Sequence, residues 1–313
     1  MKTAFPRERL SGVWSAAPTP FTAGLEVDVP SVRRMVEHHV RLGIRGLFLL
    51  GTNGEGPWMT DAQRGVLVDA VAKANRGRML LAVQVTDNSL GRILDNMRFA
   101  KAHGADIAVV APPFFLMNAT PANVQDLYLQ AVRRSPLPVG IYCRGSYSSV
   151  PVPNEVLARV YREKNVVMVK DSSRDMAHRD MVVALKKSHP RLAALDGDEF
   201  DCANYLRAGY DGLLLGGGVF NGYMAGRILE AVRSGCQAEA DRLQARMNRL
   251  MYDVYGGKKI ACWLAGEKHL LVRLGILRTW RTLLNYPLTP ACRRAIGRVL
   301  RQDCAWLTPW KGA

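Results

Sequence analysis

A lysine closing an apolar run is the first residue in this sequence with chemistry to offer. Val166-Val167-Met168-Val169 leads into Lys170, and two-residue alternation along an extended segment puts Val166, Met168 and Lys170 on one face. An ammonium among apolar neighbours loses hydration and its pKa falls, leaving a neutral amine able to attack a carbonyl. The competing role for that position is a lysine that reaches solvent or pairs with Asp171. Tyr142 ends the preceding run, Pro138 to Cys143, at the matching level, where a phenol can move protons as an imine forms; its alternative is a core aromatic whose hydroxyl finds one partner. Gly51-Thr52-Asn53-Gly54-Glu55 follows another apolar run, and its small residues let backbone N–H groups and the Thr52 hydroxyl approach a carboxylate. Gly216-Gly217-Gly218 also permits close backbone approach, without completing the G-x-G-x-x-G pattern of a dinucleotide site.

These residues act together only if the elements before them end at one place. Eight short apolar runs begin near 12, 46, 79, 106, 138, 166, 192 and 212, separated by amphipathic stretches at 31–43, 61–75, 89–103, 121–134, 153–162, 175–188, 200–208 and 223–234. Such alternation implies parallel strands with helical crossovers, and eight units close a (β/α)8 TIM barrel; a doubly wound sheet is the competing arrangement. Turn chemistry marks helix starts at Pro30-Ser31, Thr60-Asp61, Thr120-Pro121 and Val152-Pro153, and Gly43, Gly77, Gly104 and Gly209 fall near helix ends. The barrel is expected over 1–235. Residues 236–313 form a packed C-terminal helical extension, with helices at 236–253, 259–274 and 290–303. In a barrel, chemistry gathers at the C-terminal ends of strands, where Lys170, Tyr142, Thr52 and the glycine run all fall.

Composition narrows the function further. At 313 residues and 48% hydrophobic content, one large core can be buried. The six cysteines include no C-x-x-C pair, and the six histidines show no metal-binding spacing, so neither a disulfide scaffold nor a metal centre is indicated and a reducing cytoplasm fits. The first residues, broken by Pro6, Arg7, Glu8 and Arg9, do not read as a signal peptide, and no apolar run is long enough for a membrane span. The net charge of +16 is spread over most helical segments without interleaved aromatics, which disfavours a nucleic-acid partner and leaves a field that attracts anionic substrates or a solubility feature.

From Val13 to about residue 300 the chain resembles the dihydrodipicolinate synthase / N-acetylneuraminate lyase family of class I aldolases. The resemblance rests on GTNGE at 51–55, Tyr142, VVMVKDSS at 166–173, GDEF with AGYDGLLLGGG within 197–218, and LGI with YPLTP within 274–290. It implies a homotetramer, a dimer of dimers, in which Lys170 forms a Schiff base with pyruvate, Tyr142 relays protons, and Thr52 with Asn53 contacts the carboxylate. There are also departures. The family's Tyr-Asn-x-Pro is Tyr142-Cys143-Arg144-Gly145 here, and Asn53 is similar to the GSNGE of mitochondrial-type 4-hydroxy-2-oxoglutarate aldolases. The arginine that binds a second carboxylate in the synthases aligns near Tyr147, three positions after Arg144. The tyrosine that the synthases lend across a dimer contact aligns near Phe114.

The reading that follows is a lyase or aldolase that joins or cleaves a 2-oxo acid and an aldehyde with no cofactor, and that is not a true dihydrodipicolinate synthase. Leu214 and Gly216 are expected to shape the pocket floor, and Phe114, Phe115, Arg144 and Tyr147 to receive the aldehyde. A 3-deoxy-2-oxo sugar acid dehydratase would use the same lysine. A catalytically idle barrel that binds a keto acid is the rival from another class.

Overall fold

The computed structural model describes residues 6–311, and among them eight parallel strands close in sequence order into a barrel. They are β1 Gly12–Ala16, β2 Gly46–Leu49, β3 Leu80–Gln84, β4 Ile107–Val110, β5 Val139–Cys143, β6 Val166–Asp171, β7 Ala193–Asp196 and β8 Gly212–Leu215, each starting within one residue of its expected position. Pairing of Trp14 in β1 with Leu214 in β8 completes the ring. A doubly wound sheet is excluded, because it would leave two edges and this sheet has none.

Helices alternate with the strands: α1 Arg7–Leu10, α2 Val29–Arg41, α3 Asp61–Asn75, α4 Leu90–Ala102, α5 Pro121–Arg134, α6 Asn154–Tyr161, α7 Met176–Ser188, α8 Cys202–Ala208 and α9 Gly218–Arg233. Thr60 and Thr120 each begin a helix with a reciprocal cap, partnered by Gln63 and Asn123. After the ring come α10 Gln237–Tyr255, α11 Trp263–Arg273, α12 Pro290–Gln302 and α13 Cys304–Leu307. None of the described helices is long and apolar enough to cross a membrane.

The strands separate two cores. Trp14, Phe48, Ile107, Val109, Met168, Leu195 and Leu214 fill the barrel interior, and a larger shell lies between strands and helices. The short α1, absent from the sequence expectation because four residues carry no periodicity, plugs the interior from the N-terminal end. Its Leu10 is fully buried there, and the Leu10 carbonyl accepts the Trp14 indole N–H at 2.8 Å.

Two local expectations need correction. The register between β5 and β6 slips at Val139/Gly140, so Val166 falls in the outer shell and Val167 joins Met168 inside; strict alternation from Val166 fails, while Lys170 stays at the barrel mouth. Helix α9 begins at Gly218, five residues before the expected 223. A Cβ at Gly218 would come within 2.9 Å of the Ser15 backbone, so the glycine that reads as loop is what lets the helix start against β1.

Candidate active site

Lys170 and Tyr142 are direct cross-strand partners at the C-terminal ends of β6 and β5. Lys170 is 5% exposed, with Nζ 4.2 Å from the centre of the Tyr142 ring and 4.8 Å from that of Phe48. Three buried lysines occur among the described residues, and the other two are neutralised: Lys186 by Asp211 at 2.8 Å and Lys268 by Glu55. No described carboxylate lies within ion-pair distance of Lys170. Burial therefore holds its pKa below the usual lysine range and the nearby Arg144 adds to the effect, against the opposing influence of Tyr142 and Glu199. Burial alone would push the Tyr142 phenol up, but the cationic Lys170 and Arg144, with hydrogen bonds from Ser172 and Thr52, outweigh it and the net direction is down. The two groups thus titrate as a coupled pair, in which burial and Arg144 favour the neutral amine and a charged Lys170 acidifies the phenol.

These side chains open into a pocket of about 330 Å³. Thr52, Asn53, Tyr142, Arg144, Tyr147, Lys170 and Gly216 all line it, as the sequence led us to expect. Leu214 does not: it is sealed in the barrel interior two residues below Gly216. Phe114 does not either. It sits half-buried on the loop after β4, outside the pocket lining, and its neighbour Phe115 is 62% exposed.

The structure brings in residues that carried no role in the sequence. Glu199, from the GDEF stretch after β7, accepts the Gly217 N–H at 2.7 Å and the Tyr255 hydroxyl at 2.8 Å, and burial raises its pKa. The rule that polar residues after a barrel strand repay inspection would have found it. Arg174 pairs with Asp198 at 3.1 Å and donates to the Tyr147 hydroxyl at 3.2 Å. Gly197 passes so close to the lysine that a Cβ there would meet Ser172 Oγ at 2.2 Å and Lys170 Cε at 3.1 Å.

The GTNGE loop is held from below by the C-terminal helices. Asn53 Nδ2 donates to the Ala16 carbonyl at 2.8 Å, the Gly216 carbonyl at 3.2 Å and Glu267 Oε1 at 3.1 Å, so its N–H donors are spent on the fold, while its Oδ1 is buried without a hydrogen-bond partner. Glu55 stands at φ 58°, in the left-handed region that favours glycine. It is fixed there by a fully buried ion pair with Lys268 and by the Leu283 N–H at 2.6 Å. Tyr255 at the end of α10, Ile260 from the turn that follows and Trp263 at the start of α11 complete the wall.

Behind the lysine, facing the outer shell, Asp171 accepts from His178 Nδ1 at 3.0 Å, the Tyr210 hydroxyl at 2.7 Å and the Ser173 N–H at 2.9 Å. The alternative pairing of Lys170 with Asp171 is thereby excluded. Cys143, Asp171 and His178 present potential metal-ligand atoms within 4.8 Å of one another, but these hydrogen bonds already occupy Asp171 and His178. Burial opposes both charges of the pair and the mutual contact overcomes it, holding Asp171 below 3.8 and raising His178 from 6.5 to about 10. Asp171 thus contributes stability above the unfolded carboxylate range that is lost as pH falls through its lowered pKa. His178 contributes stability that is complete below 6.5 and lost as pH rises through about 10. The melting temperature is expected to fall from about pH 6.5 to about 10 more steeply in the native protein than in an Asp171→Asn/His178→Gln double variant. Parallel curves in a thermal-melt series would rule out the charged pair.

Comparison with known proteins agrees with this geometry. The model of the dihydrodipicolinate synthetase family matches residues 9–291. A 4-hydroxy-tetrahydrodipicolinate synthase of Anaeromyxobacter sp. is 28% identical over 247 residues, covering 78% of this chain and 83% of that protein. An N-acetylneuraminate lyase of Salmonella agona is 26% identical over 295 residues, covering 93% and 92%. The solved dihydrodipicolinate synthase of Bacteroides thetaiotaomicron superposes with a TM-score of 0.84 at 25% identity, covering 93% of this chain and 98% of its own. With the closed barrel, the buried lysine at its mouth and a family match over nearly its whole length, the chain belongs to the dihydrodipicolinate synthetase family of aldolase-type carbon–carbon lyases.

Proposed function

We propose that the protein is a Schiff-base lyase of pyruvate-type 2-oxo acids, with Lys170 as covalent nucleophile and Tyr142 as proton relay. The observation that carries this reading is the unpaired, buried Lys170 amine across the β5–β6 register from the Tyr142 phenol. The neutral amine adds to the ketone carbon and passes one of its protons to the former carbonyl oxygen, which takes a second proton and leaves as water, and an iminium remains. That iminium accepts the electron pair when the bond to the former aldehyde carbon breaks, leaving a neutral enamine in place of a carbanion. Tyr142 gives the proton to the departing oxygen and takes one from the substrate hydroxyl as the bond breaks. The Thr52 hydroxyl, neighbouring backbone N–H groups and the open approach past Gly216 hold the carboxylate, with Asn53 bracing the loop. The exposed apolar side chains of Phe115 and Met117 support self-association, in keeping with the tetramer that the family resemblance implies.

For the aldehyde we favour a polyhydroxylated partner. Asp198 and Glu199 line the pocket beside Lys170 and offer acceptors to hydroxyl groups, and the N-acetylneuraminate lyase relative has a name of that kind. Arg144 and Arg174 support a second reading, in which a carboxylated aldehyde is held as the name of the synthase relative implies. Pyruvate consumption measured with a panel of aldehydes separates them. Polyhydroxylated aldehydes are expected to turn over at least ~10²-fold faster than aspartate semialdehyde, the scale of one missing charge-assisted contact. Ordinary rates with aspartate semialdehyde, abolished by Arg144→Ala, would establish the second reading. Dehydration of a 3-deoxy-2-oxo sugar acid with no aldehyde accepted would replace both.

A further inference from the structure

A second cavity, of about 920 Å³, lies on the helical layer outside the strands and shares no lining residue with the Lys170 pocket. It runs along α2, between the end of α3 and the segments around Ile276 and Trp310. Six cationic side chains line it, Arg33, Arg34, Arg41, Lys73, Arg76 and Arg78, against one carboxylate, Glu37. That carboxylate is already engaged, because Arg78 donates to both of its oxygens, one at 2.9 Å. Arg34 is held by the Ser31 hydroxyl at 2.6 Å and the Ile276 carbonyl at 2.9 Å. Arg33, Arg41, Lys73 and Arg76 have no carboxylate partner among the described residues. A smaller cavity, of about 380 Å³, shares Arg78 and continues under the barrel past Arg9 and Arg45.

A uniformly basic surface would not look like this. Arg98, Arg227 and Arg242 each carry an acidic partner one helical turn away, at Asp95, Glu230 and Glu239. Cations without a carboxylate partner occur elsewhere as well, Lys187 and Arg294 among them, but here four of them share one recess, where an anion that reaches several of them relieves their mutual repulsion. The recess is far larger than a single phosphate. Its aromatic groups are packed on their neighbours: His38 meets Trp310 edge to face at 5.3 Å, and the Arg41 guanidinium sits 5.6 Å from the centre of the Trp310 ring. They form a wall and not the open stacking platform that nucleic-acid bases need.

We propose that this recess binds a contiguous phosphate chain, either an inorganic oligophosphate or the triphosphate of a nucleotide. Arginine forks match phosphate oxygens two at a time, and several forks around one concave space select connected phosphates over isolated ones. Calorimetric titration of the full-length protein at fixed ionic strength tests it, with sodium tripolyphosphate, ATP, orthophosphate and a short single-stranded RNA as separate titrants. Tripolyphosphate is expected to bind once per chain and at least ~10-fold more tightly than orthophosphate, with binding in Arg41→Glu/Arg76→Glu weakened by roughly 10²-fold, about tenfold per charged contact. That variant should melt like the native protein and still form the pyruvate adduct at Lys170. Equal affinity for ATP and tripolyphosphate supports an inorganic chain as the ligand, and tighter ATP binding a nucleotide. Equal binding of orthophosphate and tripolyphosphate, or no loss in the variant, would reduce the site to a diffuse field. Tight RNA binding without tripolyphosphate binding would make it a nucleic-acid surface. Either outcome overturns the proposal.

Discussion

Borohydride added together with pyruvate is expected to leave one stable reduced adduct, and peptide mapping to find it on Lys170. The expectation is sharp because the protein supplies its own controls. Lys186 and Lys268 are as buried as Lys170, but each is held in an ion pair with a carboxylate that favours the protonated form, whereas Lys170 faces aromatic rings and an arginine, with Glu199 acting only from beyond ion-pair distance. Burial alone therefore does not predict reactivity, and burial without a counter-charge does. Replacing Lys170 with methionine keeps most of the side-chain volume and should lower turnover on the order of 10⁴-fold or more, since no other group in the pocket can form the imine. Adduct formation on Lys186 or Lys268, or none at saturating pyruvate, would remove Lys170 from its role.

Tyr142→Phe should lower kcat by roughly 10²- to 10⁴-fold, the range for loss of a general acid–base group, with a much smaller change in the KM for pyruvate. The substitution is informative because it leaves the packing in place. The ring would still meet Phe48 edge to face at 5.8 Å and still lie beneath the lysine, so only the hydroxyl and its contacts with Thr52 and Ser172 are lost. Reduced adduct should still accumulate in this variant, more slowly. A kcat equal to that of the native protein would assign the phenol to packing alone.

The strands were legible because each is a short β-rich apolar run bounded by turn residues, a pattern that survives without any knowledge of its neighbours. Lys170 and Tyr142 were legible for the same reason, since a polar residue closing such a run stands out against it. What escaped depends on contacts far apart in the chain. The slip opposite Val139 exists only once β5 and β6 pair, so the face of Val166 could not be read from β6 alone. Leu214 obeys the alternation that places it inward, but how deep it sits follows from where the barrel is plugged. Glu199 acquires its position from Gly217 and Tyr255, and Asn53 loses an N–H donor to Glu267; neither partner is near in sequence. Phe114 was placed by family resemblance alone, and within the single chain it is absent from the pocket lining.

The buried bond from Lys268 to Glu55 spans 213 positions, and that from Asn53 to Glu267 spans 214. Synthesis runs from the N-terminus, so the loop at 51–55 is made early and its supports are made late. A ribosome-bound chain that has completed all eight strands but not α11 carries a carboxylate destined for burial with no counter-ion, on a backbone held in an unfavourable conformation. The bracing of the barrel mouth is thus acquired near the end of translation, and a chain cut short before Trp263 is expected to lack it.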